Sequence, residues 1–409
     1  MRILAVSQYY WPEPFNVADI CEELAARGHE VTVLTGIPNY PEGDVYPGYD
    51  AKRGMEEERN GVRIVRASMA PRRKGPVNRV RNYYSFSRNG SSVVQRLGPG
   101  FDAVLSFEIS PVMSANPAIA YAEAFGAPLL LYVIDIWPEC LLAGGIRRSS
   151  AVYKHFSKVS AHIYSVADML AVTSPSFEGY IGHLLGESIE VVNLPQYAED
   201  GFSELPEPDP TLDAAMFRDG KLHLMFAGNV GSAQSVETLV RAAALVRDDA
   251  IDFHVVGSGS SLDGCMSLAK DLGADNVFFH GRHPIEEMPA YYAKADAMVA
   301  TFADNPVLGY TLPRKIQSYM AAGKPVIGTV TGEARRVLEE AGCGFCCDAE
   351  DAEGLASCCR RIAAATPLER MAYGDRARDY CARHYSRESF FKTLTEALKA
   401  LKGTKHGKH

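Results

Sequence analysis

"RILAVSQYYWPEPFNVADICEELAARGHEVTVLTG", residues 2–36, decides the fold. "RILAVSQ" reads as a strand, because its apolar residues run together rather than alternate. "NVADICEELAARG" has helical periodicity and stops at Gly28. "EVTVLTG" is a second strand. Strand, helix and strand within about thirty residues make a parallel pair joined by a crossover.

The pattern continues outward. "GVRIVRAS", "DAVLSFE", "PLLLYVID", "DMLAVTS" and "IEVVNLP" follow as strands, most of them separated by stretches long enough for a helix. Between Leu194 and Gly220 the pattern stops, and "PEPDPTLD" reads as a linker. It begins again with "LHLMFAG", "DFHVVGSG", "NVFFHGR", "AMVATFA", "PVIGTV" and "CGFCCD". The expected fold class is therefore α/β, with two Rossmann-like doubly wound parallel sheets facing a central cleft. The expected domains are residues 1–196, a linker 197–220, and residues 221–384. A C-terminal helix over 385–402 packs back on the first domain in this reading, and 403–409 is a tail.

Bulk properties narrow the function. The chain has 409 residues, 47% of them hydrophobic and 22% charged, as in an ordinary soluble protein of more than one domain. Its longest apolar run, Ala127–Ile134, is one strand long, so no membrane-spanning helix is expected. The first residues lack the apolar core and cleavage site of a signal peptide, which points to the cytoplasm. The nine cysteines are scattered. The spacing of Cys343, Cys346, Cys347, Cys358 and Cys359 is not that of a zinc site, so they read as reduced core thiols. The net charge is −8, yet Arg59–Phe101 holds ten Lys/Arg and no Asp or Glu. That block, with Arg72, Arg73, Lys74, Arg79 and Arg81 interleaved with Tyr83, Tyr84 and Phe86, asks for an anionic partner. No nucleic-acid recognition module accompanies it, so nucleic acid is not the expected partner.

Open α/β sheets bind ligands at the carboxyl ends of their strands. In the second half, "FAGNVGSAQSVETLVRAA" places Gly228, Asn229, Gly231, Gln234 and Ser235 in a glycine turn before a helix, a place suited to phosphate. "VVGSGSS" repeats the device at Gly257, and Arg282 follows the next strand. "GYTLPRKIQSYMAAGKPVI", residues 309–327, reads as a helix begun by Thr311 and Pro313 and ended by Gly323. Leu312, Ile316 and Met320 form its apolar stripe; Thr311, Lys315 and Ser318 form a polar one. A lysine near a helix N-terminus is misplaced unless an anion sits there. In the first half, Glu13 and Asn16 follow the first strand, while Asp135 and Trp137 follow a central one. An acid beside an aromatic at a strand end suits sugar binding or proton transfer. No Asp-x-Asp occurs, which favours binding of pyrophosphate without a metal.

Taken in order, "RGHEVTVLTGIPNYPEG", "YVIDIWPE", "FAGNVGSAQSVETL", "VVGSGS", "GRHPIEEMPAYYAKADAMV", "LPRKIQSYMAAGKPVI" and "GCGFCCDAEDAEGLA" resemble the retaining glycosyltransferases of family 4, which have the GT-B fold. The forms "NYPEG…YPGY", "DIWPE" and "GNVGSAQ" resemble the branch that includes N-acetyl-L-fucosamine transferases of O-antigen and capsule assembly. The resemblance implies transfer of a sugar from a nucleotide-diphosphate donor, UDP-linked, to a polyprenyl-pyrophosphate-linked saccharide at the cytoplasmic membrane face. It implies no cofactor and no metal. Donor contacts then fall on Gly228, Asn229, Gly231, Gln234, Ser235, Gly257, Arg282, Leu308, Gly309, Tyr310, Lys315 and Ser318. Acceptor contacts fall on Asn16, Trp137, Arg72, Arg73, Lys74, Arg79 and Tyr83, with Asp135, Glu13, Lys315 and Arg282 catalytic. The family's paired glutamates, with seven residues between them, align with Tyr310 and Ser318. Its loop Arg and Lys align with Asn229 and Gln234. Two other readings share these motifs: a GT-B nucleotide-sugar 2-epimerase, and a nucleotide-binding scaffold without transfer.

Overall fold

The computed structural model describes residues 1–143, 145–198 and 201–403, so most of the stretch read as a tail lies outside the described residues. The chain divides into two units: Met1–Leu194 with the chain from Phe391 onward, and Pro195–Phe390.

In unit 1 the strands are β1 (Arg2–Val6), β2 (Glu30–Thr35), β3 (Met55–Arg59), β4 (Val62–Arg66), β5 (Ala103–Glu108), β6 (Leu129–Val133), β7 (Met169–Val172) and β8 (Val191–Asn193). Their order in the sheet is β3-β4-β2-β1-β5-β6-β7-β8. All neighbours are parallel except β3 and β4. The middle strands are apolar on both faces, and Ile3–Val6, Val104, Leu105 and Leu129–Val133 are buried. The sequence reading missed β3. Its residues, "MEEER", carry no apolar period, and it pairs at the sheet edge, where polar side chains are tolerated. The signal was the next dipeptide: Asn60 (φ 47°) and Gly61 (φ 77°) make the tight turn that joins two antiparallel strands.

Unit 2 has β9 (Leu222–Ala227), β10 (Ile251–Val256), β11 (Val277–Gly281), β12 (Ala297–Thr301), β13 (Val326–Thr329) and β14 (Gly344–Cys347), all parallel, in the order β11-β10-β9-β12-β13-β14. Two apolar layers cover its faces, one including Ile316, Tyr319 and Met320, the other Leu239, Cys265, Cys358 and Cys359. The segment 197–220 has no strand or long helix among its described residues, yet Phe202 and Phe217 are buried in unit 2. The last described helix is Arg387–Gly403, and unit 1 takes it from Phe391 on.

The helix in residues 309–327 begins later than expected. Pro306–Tyr310 is a short helix of its own, Thr311–Pro313 is not helical, and the next helix is Arg314–Ala321. Thr311 caps nothing; its hydroxyl donates to the Leu308 carbonyl (3.4 Å). Pro313 holds the residue before it out of the helical region, which separates the two helices. Residues Ile316–Ala321 are all buried, so the expected polar face at Ser318 is packed inside.

Candidate functional site

Neighbours β9 and β12 lie on opposite sides of the point where strand order reverses in unit 2. That is where an open parallel sheet leaves room for a ligand. The loop after β9 is held from below by the loop after β10. The Gly228 N–H donates to Val256 (2.9 Å), the Val230 N–H to Ser258 (2.9 Å), and the Gly257 N–H to Gly281 (2.7 Å). Gly257 has φ +152°, and a Cβ there would stand 1.8 Å from the Gly228 carbonyl oxygen, so only glycine fits.

Lys315 enters this corner from the helix Arg314–Ala321. Its ammonium lies against Gly228, where a Cβ would be 3.2 Å from Nζ. It sits 4.0 Å from the centre of the Phe226 ring and 5.6 Å from that of Phe302. Nζ is buried and makes no hydrogen bond among the described residues. Burial pushes its pKa down to about 7. A buried cation without an acid costs stability unless an anion joins it. The helix is anchored for this task by Tyr319, which sequence reasoning missed as a site residue. Its hydroxyl accepts the Ala227 N–H (2.9 Å) and donates to the Ala227 carbonyl (2.8 Å), one turn from Lys315.

The other expected donor residues divide. Asn229 donates to Gln234 Oε1 (3.0 Å), so these two bridge the loop where the resembled family has cations. Gly231 starts the turn Ser232–Gln234, and a Cβ on it would meet both of those side chains. Ser235 has φ 42° and shares a hydrogen bond with Thr238 (2.9 Å). Arg282 is exposed and follows Gly281, whose carbonyl holds Gly257, so it borders the same edge. Leu308, Gly309 and Tyr310 lie in the short helix after β12, with Gly309 packed so closely on Gly332 that a Cβ there would be 2.0 Å from its carbonyl oxygen. The Ser318 hydroxyl turns back to the Arg314 carbonyl (3.3 Å) of its own helix.

In unit 1 strand order reverses between β1 and β5. Glu13 is buried and accepts backbone N–H groups from Asn39 (2.8 Å), Tyr40 (2.8 Å) and Tyr10 (3.3 Å). Burial raises its pKa to about 7 against those bonds. It ties the loops after β1 and β2 together. Asn16 precedes the helix Val17–Ala26 without a side-chain cap. Asp135 Oδ2 accepts the Ser110 N–H (2.9 Å). Trp137 is 3% exposed; its ring packs on Phe156 and its indole N–H donates to Ser110 Oγ (2.9 Å). So placed, it braces the Asp135 loop rather than offering a stacking face.

Glu108, at the end of β5, carries no signal in the sequence that would single it out. It is fully buried, and neither carboxylate oxygen has a hydrogen-bond partner among the described residues. Burial and the Asp135 charge raise its pKa well above the usual carboxylate range.

The basic block is not uniform. Arg59, Arg63 and Arg66 pair with Glu22, Glu56 and Glu57. Arg73, Lys74, Arg79 and Arg81 are exposed, and Arg72 and Tyr83 are half-buried. Phe86, though interleaved with these cations in sequence, does not share their surface: it is 0% exposed, on the inner side of the helix Pro76–Val94, whereas Val77, Val80 and Tyr84 face out.

Known proteins share this plan. The family model "Glycosyl transferase 4-like domain" matches residues 16–195, and "Glycosyl transferases group 1" matches 221–365. WbjE of Pseudomonas aeruginosa, named as a glycosyltransferase, is 28% identical over 66% of this chain and 67% of its own. WcaI of Escherichia coli, named as a colanic acid biosynthesis glycosyl transferase, is 23% identical over 98% of this chain and 100% of its own. The solved structure of Anabaena HepE in complex with UDP and glucose superposes with a TM-score of 0.69 at 15% identity, covering 98% of this chain and 100% of that one. The shared architecture is GT-B.

Proposed function

The chain belongs to the group 1, 4-like glycosyltransferases, and from that premise we propose that it moves a sugar from a UDP-linked donor to a polyprenyl-pyrophosphate-linked saccharide. The product would be a bacterial surface polysaccharide; the name of WcaI, a colanic acid biosynthesis glycosyl transferase, supports that reading. HepE, which binds UDP, supports the choice of donor.

The single observation that carries the donor site is Lys315. A buried ammonium beside a glycine loop, without a hydrogen-bond partner among the described residues, is what a diphosphate needs. As the glycosidic C–O bond breaks, negative charge grows on the leaving diphosphate. Lys315, Arg282 and the amides of 228–232 stabilise it, a contribution of about 3–4 kcal/mol for an important donor. The acceptor hydroxyl attacks the anomeric carbon from the leaving-group face, with retention. A new C–O bond forms there, and the hydroxyl proton passes to the departing diphosphate. Asp135 orients the acceptor hydroxyl, while Glu13 sets the loops around it. Charge supplied by side chains and amides supports a metal-independent mechanism. Exposed Arg73, Lys74, Arg79 and Arg81 suit an anionic membrane surface at the cytoplasmic face.

Incubation with radiolabelled UDP-sugars and membrane extract tests the proposal. Label entering lipid in wild type, but not in Lys315→Ala, is the expected result. Sugar isomerisation without acceptor would instead show a 2-epimerase, and UDP binding with neither product a scaffold.

A further inference from the structure

Unit 1 carries a second cation whose surroundings are built rather than incidental. The loops after β1, β2 and β4, neighbouring strands, converge on Arg72. Tyr9 stacks on Phe15 (4.7 Å between ring centres), and Tyr40 packs against both (5.6 and 5.0 Å). The Arg72 guanidinium lies 5.1 Å above the Tyr40 ring and against the Tyr83 hydroxyl. Its backbone is fixed. The Arg72 N–H donates to Asn39 Oδ1 (2.8 Å), and Asn39 is itself held by Glu13. Gly43 (φ +88°) lets the next turn close so tightly that a Cβ there would stand 2.8 Å from the Arg72 carbonyl oxygen.

What this cation lacks is an acid. Arg72 Nε is buried with no hydrogen-bond partner, and Arg72 makes no ion pair among the described residues. Arg59, Arg63 and Arg66, earlier in the same block, all do. A guanidinium partly withdrawn from water, with its buried Nε–H unfilled, matches a tetrahedral oxyanion that accepts more than one N–H group. Tyrosine hydroxyls beside it add donors. Arg73 and Lys74 follow, and no acid occurs from Asn60 to Phe101, so the field favours a doubly charged group over a carboxylate.

We propose that Arg72, with Tyr83 and the Tyr9–Phe15–Tyr40 cluster, binds the phosphate or diphosphate ester of the acceptor. The site is separate from the exposed cations that suit a membrane headgroup. This rests on the reading that unit 1 takes the acceptor.

The test uses the full chain with saturating UDP, so that the Lys315 site is filled. Geranyl diphosphate and geraniol are titrated by calorimetry. Wild type should bind the diphosphate and not the alcohol. Arg72→Gln should weaken the diphosphate roughly 10- to 100-fold. Arg72→Lys, which keeps the charge and loses the fork, should fall between, and Tyr83→Phe should lose a few-fold. Flotation on phosphatidylglycerol vesicles should be unchanged in Arg72→Gln and reduced in Arg79→Gln/Arg81→Gln. Equal affinity for geraniol and geranyl diphosphate overturns the proposal. So does an Arg72→Gln variant that keeps diphosphate affinity but floats poorly, because the site would then serve lipid headgroups. The UDP-induced thermal shift of Arg72→Gln should equal that of wild type. If that shift depends on Lys315 while diphosphate affinity ignores Arg72, the donor reading stands and this inference alone fails.

Discussion

Replacing Lys315 with Met should change stability in opposite directions with and without donor nucleotide. In the free protein the ammonium is buried against Phe226 with no hydrogen-bond partner among the described residues, and its pKa falls from 10.5 to about 7. By linkage, that drop corresponds to about 4 kcal/mol of lost stability at neutral pH. It is an upper figure, because water reaches part of the side chain. Met is of similar length and needs no counter-ion, so Lys315→Met should raise the melting temperature of free unit 2 by roughly 3–10 °C. The sign with pH follows from the depressed value. The penalty is full below pH 7, fades as Lys315 loses its proton between pH 7 and 10.5, and is absent above. The gain from Met should shrink over that window. With UDP the order reverses: wild type gains a thermal shift that the variant lacks, and affinity falls by about 2–4 kcal/mol, roughly 30- to 1000-fold in Kd. Differential scanning fluorimetry across pH, with and without UDP, reads all of this. A free variant that melts below wild type, or one that keeps the full UDP shift, would refute the reasoning.

Other outcomes follow from particular contacts. Gly257→Ala should destabilise unit 2 by about 3 kcal/mol or more, because its φ is closed to side chains and its Cβ would strike Gly228; urea unfolding and loss of UDP binding would show it. Glu108→Gln should be more stable than wild type at neutral pH. The raised Glu108 pKa means that wild type loses stability as pH climbs above the ordinary carboxylate value, so the advantage should vanish in acid; denaturation at several pH values checks this. Acid should also weaken unit 2 through a buried imidazole chain: His223 Nδ1 to His254 Nε2 (3.0 Å), His254 Nδ1 to His280 Nε2 (2.9 Å), and His280 Nδ1 to Asp213 (2.5 Å). Burial lowers the pKa of all three, His254 to about 2, so stability should be kept above pH 6.5 and lost progressively below it. A double His223→Gln/His254→Gln variant should show a shallower acid limb in circular dichroism.

The strands of both sheets were legible because buried parallel strands write themselves as continuous apolar runs. β3 was not, since an edge strand owes its place to a partner and can be made of glutamates. Lys315 stood out as a cation at the wrong end of a helix. Glu108 did not: it closes "AVLSFE" as any polar strand end would, and only its neighbour β6 and its burial make it unusual. Arg66 and Arg72 look alike in sequence. One meets Glu57 across a hairpin and the other meets no acid among the described residues, and that difference arises from the β3–β4 pairing. The start of the 314–321 helix is not legible in sequence because a proline after Thr-Leu can begin a helix or stand just outside it.

The return of the chain to unit 1 has a consequence for biogenesis. Phe391, Leu394, Leu398 and Leu401 are buried; Arg27 lies 4.8 Å over the Phe391 ring, and Lys402 pairs with Asp102 (2.8 Å). These residues are translated after all of unit 2. On the ribosome the first unit must wait, its surface for Phe391–Leu401 uncovered, while the second is made. Nascent unit 1 is therefore a natural client for chaperones, and a ribosome that stalls before Phe391 would leave it unfinished however much of the rest had folded.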